Sequence, residues 1–408
     1  MKIFNRKLKI TSFALLTLCM VFVMTACAEN SSQSEKSQPA EQTTVQPTTM
    51  SAEEINDRKL DKFISDMTLE EKVGQMFFVR CPDEDAVKQV SEYNIGGYIL
   101  FGRDFDGKTK DEVVDDIHSY QNEADIPLLI GVDEEGGTVV RVSSNPNLRE
   151  TPFLSPKDTY ADGGWDAVKQ DAEEKADLLL SLGINVNLAP VCDMTSDEYG
   201  FMYDRSFSSD VDMENRYVRT VVETSKSKKL GTVLKHFPGY GNNSDTHTGI
   251  AYDDRDYSEF ENTDFKPFYQ GIESGADCIL VSHNIVNCMD SEYPASLSQK
   301  VHDILRNEFK FDGVIMTDDL IMDAITDFTG DEAAAVTAAK CGNDLLCCSS
   351  VDTQYPAVLE AVQNGEIPEA QVDASVKRIL KWKQNLGIFN IDTYQKKVRT
   401  TDPTDATE

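Results

Sequence analysis

The sequence predicts a single α/β domain of the TIM-type (β/α)8 barrel class, and three observations predict it. Eight short apolar runs are continuous rather than alternating, as strands buried on both faces must be. The stretches between them are long enough for crossover helices. Several runs end in polar residues, at the end of a barrel strand where chemistry is built. An open doubly wound sheet is the alternative arrangement of the same units.

The first residues carry Lys2, Arg6, Lys7 and Lys9, followed by an apolar run over 13–23 and then Thr25, Ala26 and Cys27. A charged start, an apolar stretch and small residues before a cleavage point make an export signal. A cysteine directly after the small residues resembles a bacterial lipoprotein box, whose cysteine is acylated and becomes the mature N-terminus. The alternatives are a simple secretory signal or an uncleaved helix, but the apolar run falls short of the ~20 residues a spanning helix needs. Residues 1–26 therefore read as a lipoprotein signal peptide and Cys27 as the lipidation site. The expected location is extracytoplasmic, at the bacterial cell membrane. Residues 27–50 are rich in Ser, Gln, Thr, Pro and Glu, cannot repay the entropy of folding, and read as a disordered tether.

The barrel domain is expected over 51–390. Thr68 followed three residues later by Glu71 is a capping-box helix start. The candidate strands are 75–79, 97–101, 128–132, 186–189, 232–234, 278–281, 314–316 and 345–348. Segments 167–182, 332–340 and 372–383 read as crossover helices. Past Gly387 no core-forming pattern remains, and 391–408 read as a polar tail.

With 71 acidic against 39 basic residues, the formal charge of −32 repels nucleic acid and anionic headgroups, so a nucleic-acid partner is excluded. Beyond Cys27 lie Cys81, Cys192, Cys278, Cys288, Cys341, Cys347 and Cys348, without CxxC spacing and often inside apolar runs. They read as buried free thiols, and no metal site is indicated.

The chemistry concentrates in two stretches. The first runs from Leu234 to His247 and holds Lys235, His236, two glycines and Asp245-Thr246-His247. A carboxylate two residues before a histidine can fix its tautomer and leave the other ring nitrogen to pass protons. In isolation, Asp-x-His is more often solvated polarity. The second stretch ends a buried strand in Asp318 and Asp319. Either could be no more than a helix cap with an acid in the first turn.

Segment 304–321, with Gly313, three apolar residues, Thr317 and then Asp318, resembles the signature of glycoside hydrolase family 3. Segment 235–247 is similar to the acid/base loop of that family's β-N-acetylglucosaminidases, with Thr246 in place of a middle Ser. Residues 67–76, 95–97, 133–137 with Arg141, 185–193 and 204–208 also resemble the family, so the likeness covers nearly all of the globular region. It implies Asp318 as nucleophile, His247 with Asp245 as acid/base, and Asp133, Arg141, Arg205, Lys235 and His236 as sugar ligands. Two departures stand out. Tyr240 occupies a position that is His in many members, and Ala251-Tyr252-Asp253 stands where a Pro often follows the catalytic His.

The residue types suit the task, since forked and charged side chains grip sugar hydroxyls. Arg205 could instead pair with an acid and His236 satisfy a core carbonyl. His283 reads equally as a supporting residue, and His118 and His302 as surface positions. The expected reaction is retaining hydrolysis of terminal β-linked N-acetylglucosamine from peptidoglycan fragments or chitin-type oligosaccharides, by a monomer without cofactor. The alternatives are a β-glucosidase, β-xylosidase or phosphorylase of the same family, and, from another class, a sugar-binding lipoprotein of a transporter.

Overall fold

The computed structural model describes residues 50–243, 246, 249–329 and 331–397. Cys27, Asp245 and His247 lie outside the described residues. By contacts the chain divides between Thr49 and Met50, and the fold below belongs to the second unit.

That unit opens with helix Ala52–Ser65, whose N-cap Ser51 and Glu54 exchange reciprocal hydrogen bonds. Helix Leu69–Gln75 begins with the same device, Thr68 N donating to Glu71 and Glu71 N to Thr68 Oγ1. Eight parallel strands follow: β1 (Phe77–Arg80), β2 (Gly97–Leu100), β3 (Leu129–Val132), β4 (Val186–Asn187), β5 (Gly231–Phe237), β6 (Cys278–Val281), β7 (Val314–Thr317) and β8 (Leu346–Cys348). Each overlaps one of the expected runs. Their order is β8-β1-β2-β3-β4-β5-β6-β7, with every pair parallel. A bridge between Met316 and Leu345 joins the two ends, so the sheet is a nearly closed barrel and not the open alternative.

The closing seam is short of backbone pairs and long on side chains. Thr317 N donates to Leu345 O at 3.1 Å and Leu320 N to Cys347 O at 3.0 Å. Asp344, buried just before β8, accepts from Ile315 N at 2.9 Å with one carboxylate oxygen. Its other oxygen accepts from Ser375 Oγ at 2.8 Å and Arg378 at 2.9 Å. Arg306 binds the first oxygen as well.

Inside the barrel Phe78, Ile99, Leu129, Val186, Val233, Leu280 and Met316 form one cluster with Ile379, Trp382 and Leu386. The last three come from or adjoin helix Glu369–Asn385, which seals the end where the strands begin. The lumen is a packed core and only the opposite mouth is available to a ligand. Two larger clusters fill the space between strands and helices.

Some boundaries differ from expectation for identifiable reasons. The strand expected over 75–79 begins only at Phe77, because Gln75 ends the preceding helix. The one expected over 186–189 pairs over two residues and rejoins β5 at Val191, past Pro190, which has no N–H to donate. The helix expected over 167–182 starts at Pro156, and Gly163 and Gly164 interrupt the apolar pattern inside it. Past Gly387 the expectation of no core-forming pattern does not hold. Phe389 is buried, and the rings of Phe389 and Tyr394 stand 5.6 and 5.0 Å from Phe63.

Candidate active site

The mouth of the barrel holds a cavity of about 310 Å³. Asp133, Arg141, Arg205, Lys235, His236 and Asp318 all line it, although they come from segments nearly two hundred residues apart. The strands deliver them. Asp133 follows β3, Lys235 and His236 lie inside β5, and Asp318 follows β7.

Lys235 is the centre of a buried charge cluster. Its Nζ lies 2.6 Å from Asp133 Oδ1 and 2.6 Å from Glu135 Oε1. Glu135 receives a fork from Arg205, Nε at 3.0 Å and Nη2 at 2.8 Å. Burial alone would raise the Glu135 carboxyl, but the charges of Lys235 and Arg205 outweigh it and hold it well below the usual range. Burial likewise opposes the Lys235 ammonium, and Asp133 and Glu135 reverse that and raise it. Both groups are thereby fixed in their charged forms.

The cluster continues into His236. Arg205 Nη2 lies 3.2 Å from His236 Nε2, while His236 Nδ1 lies 2.7 Å from Asp193 Oδ2. A guanidinium has only donors, so Nε2 accepts and Nδ1–H donates to Asp193. Asp193 also accepts the backbone N–H of His236 at 2.9 Å and of Tyr240 at 2.7 Å. Arg205 is paired with an acid, Glu135, whereas His236 is paired with the Asp193 carboxylate and not with a core carbonyl, and both line the cavity.

Strand β5 runs through Lys235 and His236 to Phe237, three residues beyond the expected strand end, with a register shift against β6 between Leu234 and Phe237. Polar residues are tolerated inside this buried strand because each is fully partnered.

Arg141 is brought in by Glu134. That carboxylate is completely buried and accepts from the backbone N–H groups of Arg141 at 2.9 Å, Val142 at 2.7 Å and Ser143 at 3.3 Å. The loop is hooked over the end of β3, and Arg141 reaches the Phe101 ring at the end of β2, 5.9 Å from its centroid.

Asp318 and Asp319 have different surroundings. Asp319 Oδ2 accepts from Ser349 Oγ at 2.8 Å and Oδ1 from Ile321 N at 3.2 Å, so its side chain braces the turn. Burial raises its pKa, against those two hydrogen bonds. Asp318 Oδ1 accepts the Asp319 N–H at 2.9 Å, and its charge reaches the Tyr240 hydroxyl. Burial first, and then that charge, keep the Tyr240 hydroxyl protonated.

Tyr240, one of the two departures from the family pattern, has its hydroxyl 2.5 Å from Thr246 Oγ1. Thr246 is the residue between Asp245 and His247. The other unusual segment, 251–253, supplies Asp253 to Arg255, which also binds Asp264 and the Gly239 carbonyl at 3.1 Å. Both ends of the 239–253 segment are therefore held by one guanidinium.

Arg80, Glu135 and Asp193 belong to this site and sequence reasoning did not select them. Arg80 ends a buried strand, a position that could have marked it. Glu135 and Asp193 stood inside quoted motifs, but only the fold reveals their partners. His283 supports the backbone, its Nε2 3.0 Å from Asp319 O and Nδ1 2.7 Å from Ser296 Oγ. His302, expected at the surface, is 1 % exposed because its helix lies against the strands, with Nδ1 2.7 Å from Ser298 O. Six of the seven described cysteines are buried and all seven are free; Cys288 alone is exposed.

A family model described as glycosyl hydrolase family 3 N terminal domain matches residues 68–382. The chain belongs to glycosyl hydrolase family 3. Among its family 3 relatives is the beta-hexosaminidase of Nitrosomonas eutropha, 32% identical over 65% of this chain and 77% of that protein. The beta-hexosaminidase LpqI of Mycobacterium tuberculosis is 31% identical over 77% of this chain and 82% of its own length. Among solved structures, a family 3 beta-N-acetylglucosaminidase from Paenibacillus sp. str. FPU-7 superposes with a TM-score of 0.74 at 29% identity, covering 84% of this chain and 66% of that one. The structure of M. tuberculosis LpqI superposes with a TM-score of 0.72 at 26% identity, over 79% of this chain and 96% of that one.

Proposed function

We propose that this family 3 protein is a retaining β-N-acetylhexosaminidase that releases terminal β-linked N-acetylglucosamine from peptidoglycan fragments or chitin-type oligosaccharides. The observation that carries the reading is one cavity in which Asp318 faces a cluster of Asp133, Glu135, Lys235, Arg205 and His236. The names of the relatives, beta-hexosaminidase and beta-N-acetylglucosaminidase, support the substrate class.

In this reading Asp318 attacks the anomeric carbon as the glycosidic bond breaks, and His247, oriented by Asp245, protonates the departing oxygen. Water deprotonated by His247 then cleaves the glycosyl ester and regenerates Asp318. Asp133, Arg141, Arg205, Lys235 and His236 hold the sugar. The Tyr240 to Thr246 contact supports a fixed position for the backbone between Asp245 and His247.

The leader pattern supports cleavage before Cys27, acylation of that cysteine and a tether over 27–50 ahead of the barrel domain, and the packing of Tyr394 on Phe63 extends that domain past the expected end at 390. The protein would then act as a monomer outside the cytoplasm, held to the membrane by lipid. Among the described residues no helix is long and apolar enough to cross a membrane.

The test is release of p-nitrophenol from the β-N-acetylglucosaminide and the β-glucoside by the purified protein, Asp318→Ala and His247→Ala. The expected result is turnover of the N-acetyl substrate, reduced about 10³-fold or more in Asp318→Ala and about 10²- to 10⁴-fold in His247→Ala. Activity surviving in Asp318→Ala would reject the nucleophile.

A further inference from the structure

Glu135 joins Lys235 to Arg205, yet no strand holds it. It follows the end of β3 in a turn, where its N–H donates to Val139 O at 3.0 Å. Its carbonyl accepts from Lys175 Nζ at 2.9 Å, and Lys175 belongs to helix Pro156–Ser181 in the layer outside the strands. Lys175 is 7 % exposed, and its second partner is Asp171 Oδ2 at 2.7 Å, one turn earlier on the same helix. The ammonium reaches the turn because Gly136, at φ 105°, has no side chain. A Cβ there would stand 2.2 Å from Leu154 O and 3.2 Å from Lys175 Nζ.

Burying an ammonium to satisfy one neutral carbonyl gives up most of its hydration, even with a carboxylate beside it. The consequence lies at the Glu135 side chain. That carboxylate is 1 % exposed, and its Oε1 lies 2.6 Å from Lys235 Nζ and 2.8 Å from Arg205 Nη2, while Oε2 accepts from Arg205 Nε at 3.0 Å. The same Nη2 lies 3.2 Å from His236 Nε2. A guanidinium is planar with its donors in fixed directions, so moving the Glu135 oxygens turns Arg205 and disturbs its bond to His236. With the Glu135 N–H held by Val139 and its carbonyl by Lys175, the side chain between them starts from a fixed backbone.

We propose that Lys175 is a positioning residue for sugar binding: it fixes the Glu135 peptide from outside the strands, and through the Glu135 carboxylate it sets the Arg205 plane and the Lys235 ammonium. This rests on the hydrolase reading above. Lys175 does not line the cavity, so it acts only through Glu135. The groups it places hold the sugar and pass no proton to the departing oxygen. Its effect therefore falls on sugar affinity and is the same for every leaving group.

The experiment titrates N-acetylglucosamine calorimetrically into the purified protein and measures kcat/KM for the p-nitrophenyl and methyl β-N-acetylglucosaminides. Lys175→Met keeps the stem and removes the donors. Its Kd for the sugar should rise about tenfold or more, because a displacement of about 1 Å in a positioned group can cost up to ~10²-fold. Its kcat/KM should fall by the same factor for both glycosides. Lys175→Gln, uncharged and one atom shorter, should show the same loss and serves if the Met variant does not fold. In Glu135→Ala no carboxylate is left to place, so adding Lys175→Met should weaken binding by about twofold at most. Unchanged sugar affinity in a folded Lys175 variant overturns the proposal, as do losses that add in full to those of Glu135→Ala or that fall on the methyl glycoside alone. If the wild type binds the sugar but cleaves neither glycoside, the hydrolase reading fails, and the titrations still decide the role of Lys175.

Discussion

Lys235 is 2 % exposed and survives burial only because Asp133 and Glu135 both lie at 2.6 Å. Replacing it by Met leaves those carboxylates with Arg205 alone, and removing one partner of a buried charge network costs about 3–5 kcal/mol. Urea unfolding of Lys235→Met at pH 7 should show that loss. The pH dependence follows from Glu135, whose folded pKa is depressed below its ordinary 4.5. A depressed carboxyl contributes its full stability above the unfolded value and loses it as pH falls through the folded one. The gap between Lys235→Met and wild type should therefore be complete at pH 7 and narrow below about pH 4.5; a gap that widened in acid would contradict this account. At this scale the sequence was most legible where a polar residue follows a buried strand, as at Asp133 and Asp318. It was least legible where function depends on a partner far along the chain. Nothing in the sequence ties Arg205 to Glu135, seventy residues away.

Among the elements, the segment after β5 departs furthest from its sequence pattern, and Arg255 explains how it keeps its shape. The guanidinium grips Asp253 and Asp264 and the Gly239 carbonyl. Gly239 has φ 121°, and a Cβ there would stand 2.4 Å from Asp264 Oδ1; one at Gly241, with φ 55°, would meet the Arg255 guanidinium at 2.7 Å. Both glycines are thus required by the knot and not only by the turn. Arg255→Lys keeps the charge but cannot fork, so it should loosen the segment that carries Asp245 and His247 without unfolding the barrel. If those residues supply the proton, the loss in kcat should be about tenfold larger for a methyl β-N-acetylglucosaminide than for the p-nitrophenyl compound, whose leaving group needs less protonation. Equal losses for both would reduce Arg255 to a stability role. The strands themselves were readable because continuous apolar runs demand burial on both faces. The helix from Pro156 was readable only past Gly164, since two glycines mask the start of its periodicity.

For the whole molecule, barrel class followed from eight runs and their spacing, but the manner of closure did not. The last pair of strands meets through one bridge and four backbone hydrogen bonds, and Asp344 reinforces that junction by gathering Ile315 N, Ser375, Arg306 and Arg378. The role was hidden because Asp344 in sequence is merely a polar residue ahead of a strand, and its partners lie thirty residues to either side. Asp344→Asn keeps the shape but strands two partly buried arginines, which predicts a loss of about 3 kcal/mol or more in chemical denaturation. A variant as stable as wild type would mean that backbone pairing closes the barrel unaided.

The same clasp bears on how the protein fails when heated. Asp318 is the first residue past β7, directly beside the seam, whereas Trp382 sits at the sealed base. The seam has one bridged residue pair where every other junction has at least two, and the most sparsely paired junction opens first. Warming should thus abolish turnover over a temperature range in which the Trp382 environment, followed by fluorescence, is still native. Catalysis would be the most heat-sensitive property of an otherwise intact barrel, and cooling from that range should restore it.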